Sequence, residues 1–116
     1  LAAAHAVNDG FAQEPQAHGM YHGEKVAFGT LVQLVLEKAP QEELEQVLAF
    51  LRDTGLPLTL AQLGVKEIVP ETLKKVAEAA VVPTQSTKNL RADITAQEVY
   101  DAILEADRIG RDYLAR

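Results

Sequence analysis

GEKVAFGTLVQLVLEKA, residues 23–39, decides the architecture. Val26, Ala27, Phe28, Leu31, Val32, Leu34, Val35 and Leu36 cover most of the circumference of a helix drawn through this stretch. A helix that is apolar nearly all round is stable only where other elements surround it. Gln33 and Glu37 interrupt the apolar run well before the roughly 20 residues that a membrane span needs. The stretch therefore predicts the central helix of a soluble bundle.

The pattern continues downstream. Pro40 suits a first helical turn, Glu42 and Glu43 complement the dipole there, and Leu44, Val47, Leu48 and Leu51 repeat at i, i+3, i+4, i+7. Gly55 and Pro57 close that helix. A helix of one to two turns is expected over 59–63, capped by Thr59 and stopped by Gly64. Pro70 opens another, reaching about Val81, with Leu73, Val76, Ala77 and Ala80 on its buried side. Residues 83–93 are polar and without period, and read as a loop. Thr95 and Glu98 fit a capping box ahead of a last helix, whose inner face carries Val99, Ala102, Ile103, Ala106, Ile109, Gly110 and Tyr113. Upstream, the opening residues are good helix formers with no capping side chain before them, so the chain is expected to begin inside a helix of a longer parent. Asn8-Asp9-Gly10 would end that helix, and Pro15, His18 and Gly19 continue an irregular segment. No stretch alternates as a half-buried strand does. The expected fold is all-α, a bundle of about five helices forming one domain over 1–116.

Composition agrees with a folded globular chain: hydrophobic residues make up 47% and charged residues 24% of the 116. The net charge of −6 is spread over helices, and no basic stripe with interleaved aromatics is present, so nucleic acid is not an expected partner. Cysteine is absent, which leaves nitrogen and oxygen as the only metal donors. The first residues lack the basic, then apolar, layout of a secretion signal, and a cytoplasmic protein is expected.

Only His5, His18 and His22 are plausible centres of chemistry. His5 stands among small residues, Ala2, Ala3, Ala4 and Ala6, which let a ligand or another element approach the imidazole; a histidine hydrogen-bonded within a core or interface would look the same. His22 stands at the mouth of the central helix, where a rigid backbone suits a metal ligand, although a helix-entry residue with an exposed ring shares that position. His18 and His22 have i, i+4 spacing, but Gly19 and Gly23 argue against a helix there. His5 with His22 is the better pair. Catalytic zinc usually takes three protein ligands, and no carboxylate is an obvious third: Asp9 reads as a turn residue and Glu24 as a first-turn charge. There is no phosphate-binding glycine loop, no cysteine nucleophile, and no serine other than Ser86 in the polar loop. A different class of reading is a free-standing or self-associating helical interaction module with structural histidines, because a face built to meet another domain leaves an apolar patch that would also favour a homo-oligomer.

Three stretches carry a resemblance: Leu1-Ala2-Ala3-Ala4-His5-Ala6-Val7, then Tyr21-His22-Gly23-Glu24-Lys25-Val26-Ala27-Phe28-Gly29-Thr30-Leu31, and Gly55-Leu56-Pro57-Leu58-Thr59-Leu60-Ala61-Gln62-Leu63-Gly64. Together they resemble the C-terminal helical domain of bacterial glycerol dehydrogenases, in the iron-containing alcohol dehydrogenase superfamily, whose fold is similar to that of dehydroquinate synthase. The resemblance implies a parent with an N-terminal NAD-binding domain, and a zinc ion in the cleft between the two domains. It implies that His5 and His22 are metal ligands, that the third ligand is an aspartate outside this chain, and that His18 lies near the site without being a ligand. Glycerol would be oxidised to dihydroxyacetone, zinc polarising the substrate hydroxyl and NAD taking the hydride, and the chain alone would be inactive. Phe11 and Tyr21, near the ligands in sequence, would either wall the polyol pocket or serve as ordinary packing. Asn8-Asp9-Gly10 departs from the family's His-Asn-Gly, and Lys88-Asn89 from its common His-Asn pair.

Overall fold

The computed structural model describes residues 7, 8, 10–19, 22–81 and 94–116, with the backbone alone at His22. The described residues form four α-helices: α1 (His22–Leu36), α2 (Gln41–Thr54), α3 (Pro70–Ala80) and α4 (Ala96–Leu114). Two 3-10 turns, Phe11–Gln13 and Pro15–Ala17, precede them, and no strand occurs among the described residues. The all-α architecture follows the sequence pattern. The loop expected over 83–93 and the beginning of the first helix, residues 1–6, lie outside the described residues.

Helix α1 is the hub. From residue 24 to residue 36 every position is at least partly buried, with Phe28, Leu31 and Val32 fully so. Helices α2 and α4 pack on it, and α4 also packs on α3. Each covering helix presents one apolar stripe: Leu44, Leu48 and Leu51 on α2, and Leu73, Val76, Ala77 and Ala80 on α3. At roughly 1.5–3 kcal/mol for each large aliphatic side chain removed from water, these stripes outweigh every surface contact in the molecule.

The helix ends follow local chemistry. Helix α1 stops at Leu36, three residues short of the expected end, because Lys38 adopts a left-handed conformation (φ 56°). The Ala39 N–H then donates to the Leu34 carbonyl (3.0 Å) and the Lys38 N–H to the Val35 carbonyl (3.1 Å), a Schellman closure. Helix α2 ends in the same way on Gly55 (φ 76°), with Leu56 N–H donating to Leu51 at 2.9 Å. Pro40 is the cap of α2 and not a member of its first turn; its carbonyl accepts from Glu43 and Leu44. Thr95 and Glu98 form the expected capping box of α4. Beyond α4, Arg116 grips Glu45 of α2 through two hydrogen bonds (2.8 and 2.9 Å), which hold the Glu45 carboxyl below its usual range.

Two expectations change. The 59–63 segment is a hydrogen-bonded turn and not a helix, although Thr59 caps it as read, its hydroxyl accepting from the Gln62 N–H at 3.0 Å. A stronger interaction fixes it: the buried Asp107 carboxylate of α4 accepts from the Leu60 N–H at 2.8 Å, while its other oxygen accepts from Arg111 at 3.0 Å. One turn further along α4, Gly110 lies so close to the Leu58 carbonyl that a Cβ would overlap it. The second change concerns Gly10. The α-helical stretch ends at it as expected, but its backbone is right-handed (φ −60°, ψ −34°) and leads into the 3-10 turn, so it is not a left-handed cap; its missing side chain admits the Val76 carbonyl of α3, which would lie 2.5 Å from a Cβ.

Two substitutions test these local arguments. Gly110→Ala sets a methyl against backbone that cannot move aside, and chemical denaturation should show a loss of about 3 kcal/mol or more. Lys38→Gly removes the left-handed penalty at an exposed position, and the same measurement should show a gain of about 0.5–1 kcal/mol.

Candidate metal-site segment

Residues 7–22 run from the first helical turn to the start of α1, and the predicted site residues fall on or beside them. His22 is the first residue of α1. Its backbone therefore belongs to the most buried helix, while the turn that carries it is more open: Gly23 is exposed and residues 24–26 are half-buried. Full burial begins at Ala27. His5, Asp9 and Tyr21 lie outside the described residues.

His18 is exposed, and its Nε2 stands 2.9 Å from the Ala12 carbonyl oxygen. The ring thus closes back on its own segment. Of the two readings open for Phe11, the structure favours packing: the ring is fully buried and meets Phe28 of α1 edge-to-face, with centroids 6.3 Å apart. Phe11 and Gly10 together fasten the segment between α1 and α3.

Sequence reasoning missed the two side chains that organise the middle of the segment. Glu14 caps the second 3-10 turn, its Oε1 accepting from the Gln16 N–H (3.0 Å) and from Gln16 Nε2 (3.2 Å). Gln16 then reaches across the fold. Its Oε1 accepts from the N–H groups of Lys66 (3.0 Å) and Glu67 (3.1 Å), and its Nε2 donates to the Glu67 carbonyl at 2.8 Å. One amide thereby satisfies three backbone groups about 50 positions away in sequence. A signal for Glu14 was present, since an acidic side chain directly before Pro15 is a capping arrangement. No local pattern marks Gln16, because its partners are distant backbone atoms.

Glu14 carries an anomaly. The residue is 1% exposed, and its Oε2 is buried with no hydrogen-bond partner among the described residues. A buried carboxyl with one oxygen unmatched costs stability that the cap only partly offsets.

As a donor set for a metal, the chain offers imidazole and carboxylate, which suit zinc or iron, and no thiolate. Among the described residues no three His, Asp or Glu side chains are grouped so as to hold an ion. Two surface clefts in the described structure, one lined by Lys74, Glu78, Gln97 and Tyr100 and one by Gln41, Leu44, Arg108 and Asp112, share no residue with the segment.

No protein-family model matches the chain. Individual proteins do. The chain is 54% identical over 114 residues to a glycerol dehydrogenase of Escherichia coli O6:H1 (strain CFT073), a match covering 98% of this chain and 31% of the relative. It is 47% identical over 116 residues to a glycerol dehydrogenase of Citrobacter freundii, covering 100% of this chain and 32% of the relative. Its fold is similar to the crystal structure of a probable glycerol dehydrogenase from Sinorhizobium meliloti 1021, with a TM-score of 0.90 at 43% identity over 96% of this chain and 32% of that one. The chain thus spans about a third of the length of the proteins it matches.

The Glu14 anomaly is testable. Glu14→Gln keeps an acceptor for the Gln16 N–H but puts an amide nitrogen with two unmatched donors where Oε2 now lies, so thermal or chemical denaturation should show a loss of about 1 kcal/mol or more.

Proposed function

Because the chain belongs to the glycerol dehydrogenase family, within the iron-containing alcohol dehydrogenase superfamily, we propose that it is the helical, metal-holding part of an NAD-dependent polyol dehydrogenase that converts glycerol to dihydroxyacetone. The observation that carries this reading is the 54% identity, maintained over nearly the whole chain, to a protein named glycerol dehydrogenase. His5 and His22 are two of the zinc ligands, and an aspartate outside this sequence is the third. When bound, zinc supplies a Lewis acid for the substrate hydroxyl and NAD supplies the hydride acceptor.

The chain's own contribution is positioning. His22 is carried by the first turn of α1, whose later turns are anchored in the core, so its backbone stands at the head of a buried helix. His5 precedes a segment held by Gly10 against α3 and by Phe11 against Phe28. With two ligands from this chain and a third from another domain, the substrate would be held in a cleft that this chain forms on one side only. Excluding water from that cleft then depends on the nucleotide-binding domain, and the isolated 116 residues are inactive in this reading.

In a full-length protein, His5→Ala and His22→Ala should each reduce bound zinc to well below one per subunit, measured by elemental analysis, and lower kcat/KM for glycerol by about 10²–10³-fold, a few kcal/mol of lost charge stabilisation. Stoichiometric zinc in either variant would remove that residue from the ligand set. NAD-linked glycerol oxidation by the isolated chain would overturn the division of labour.

A further inference from the structure

We propose that Gln16 is a positioning residue of the metal site, its side-chain amide setting where the first turn of α1, and hence His22, is held. The inference rests on the reading of His22 as a ligand and adds to it a residue that neither touches the metal nor contributes to the hydrophobic core.

Burial alone does not place His22. The enclosed part of α1 begins at Ala27, and the turn before it is half-buried or exposed. The position of that turn therefore depends on the chain leading into it, and His22 follows Gln16 by only six residues. Six residues span at most about 20 Å, so a fixed point at Gln16 restricts the approach to α1.

Gln16 is such a point. It has one acceptor oxygen and one amide nitrogen, and both are used twice: the oxygen by the Lys66 and Glu67 N–H groups, the nitrogen by the Glu67 carbonyl and the Glu14 carboxylate. The strip that it grips is itself immobilised. It follows the turn pinned to α4 by the Asp107 carboxylate on the Leu60 N–H, and the Val65 N–H donates to the Leu60 carbonyl at 2.9 Å. A continuous line of short hydrogen bonds therefore runs from α4 through the 60–67 strip to Gln16. The bonds to Lys66 and Glu67 are at the surface, where a neutral hydrogen bond contributes little to global stability. A residue of this kind affects geometry more than folding.

The test uses the full-length protein with zinc, and with cobalt(II) in its place, in three variants. Gln16→Ala should release zinc to a chelator about tenfold faster, in the range seen when a group supporting a metal ligand is removed. It should also alter the visible absorption of the cobalt-substituted protein while the thermal midpoint moves by only a few degrees. Gln16→Glu keeps the acceptor for Lys66 and Glu67 but sets a carboxylate oxygen against the Glu14 carboxylate and the Glu67 carbonyl, and should release zinc at least as fast as Gln16→Ala. His22→Ala separates the two levels of the reading: if it retains metal, the ligand assignment fails and positioning fails with it. If His22→Ala loses metal while Gln16→Ala keeps the wild-type release rate and cobalt spectrum, the positioning role alone is overturned. Should Gln16→Ala prove unstable, release rates that follow the thermal midpoints of both Gln16 variants, and not the state of the contacts to Glu14, Lys66 and Glu67, would also overturn it.

Discussion

A helix with no polar face imposes one requirement on its surroundings: something apolar must lie against every side of it. Helix α1 is that helix, and much of the described structure meets the requirement. Helices α2 and α4 pack on it, and Phe11 closes over Phe28 near its middle. Helix α3 has a different task, since it packs on α4 and on the first 3-10 turn. The hydrophobic free energy released by enclosing α1 is large and carries little directional information. It explains why the chain collapses around this helix, and leaves open how the connecting segments are set.

Those settings come from a second class of contact, in which backbone is met by backbone or by a single polar side chain. Gly110 on Leu58, Gly10 on Val76, Asp107 on the Leu60 N–H and Gln16 on the 66–67 strip are its members. None buries much area. Each joins elements remote in sequence at a defined separation, and together they connect the last helix to the segment that precedes α1. In the proposed enzyme, the histidine at the head of α1 receives its stiffness from the core and its placement from these contacts.

The two classes differ in how far they can be read from sequence. Periodicity exposed the inner faces of α2 and α3 almost residue for residue, because burying a stripe leaves a regular trace. The capping box of α4 was equally visible, since both partners lie within one turn. Asp107 was passed over although it lies in line with Ile103 and Gly110: a carboxylate within an apolar stripe signals a buried acceptor, but its donor is 47 positions away. The turn at 59–63 was taken for a helix for the same reason, as its local signals are helical and the interaction that reshapes it is remote. The early end of α1 depended on Lys38 entering a conformation that composition does not favour. At the candidate site, the proposed ligand pair came from where the two histidines stand in the helix pattern and from the resemblance, whereas Gln16, which reads by composition as an ordinary surface residue, could be recognised only once the fold placed Lys66 and Glu67 beside it.

The glycine contacts have a consequence for how such a sequence can drift. Where two side chains meet, a larger residue on one side can be answered by a smaller one on the other, and homologous cores repack in this way while helices slide by an ångström or two. At Gly110 and Gly10 the opposing atom is a carbonyl oxygen, which no substitution at Leu58 or Val76 can shrink. Compensation is closed there, so these two points act as fixed spacers that set the separation of α4 from the 57–60 strip, and of α3 from the segment before α1, whatever side chains surround them.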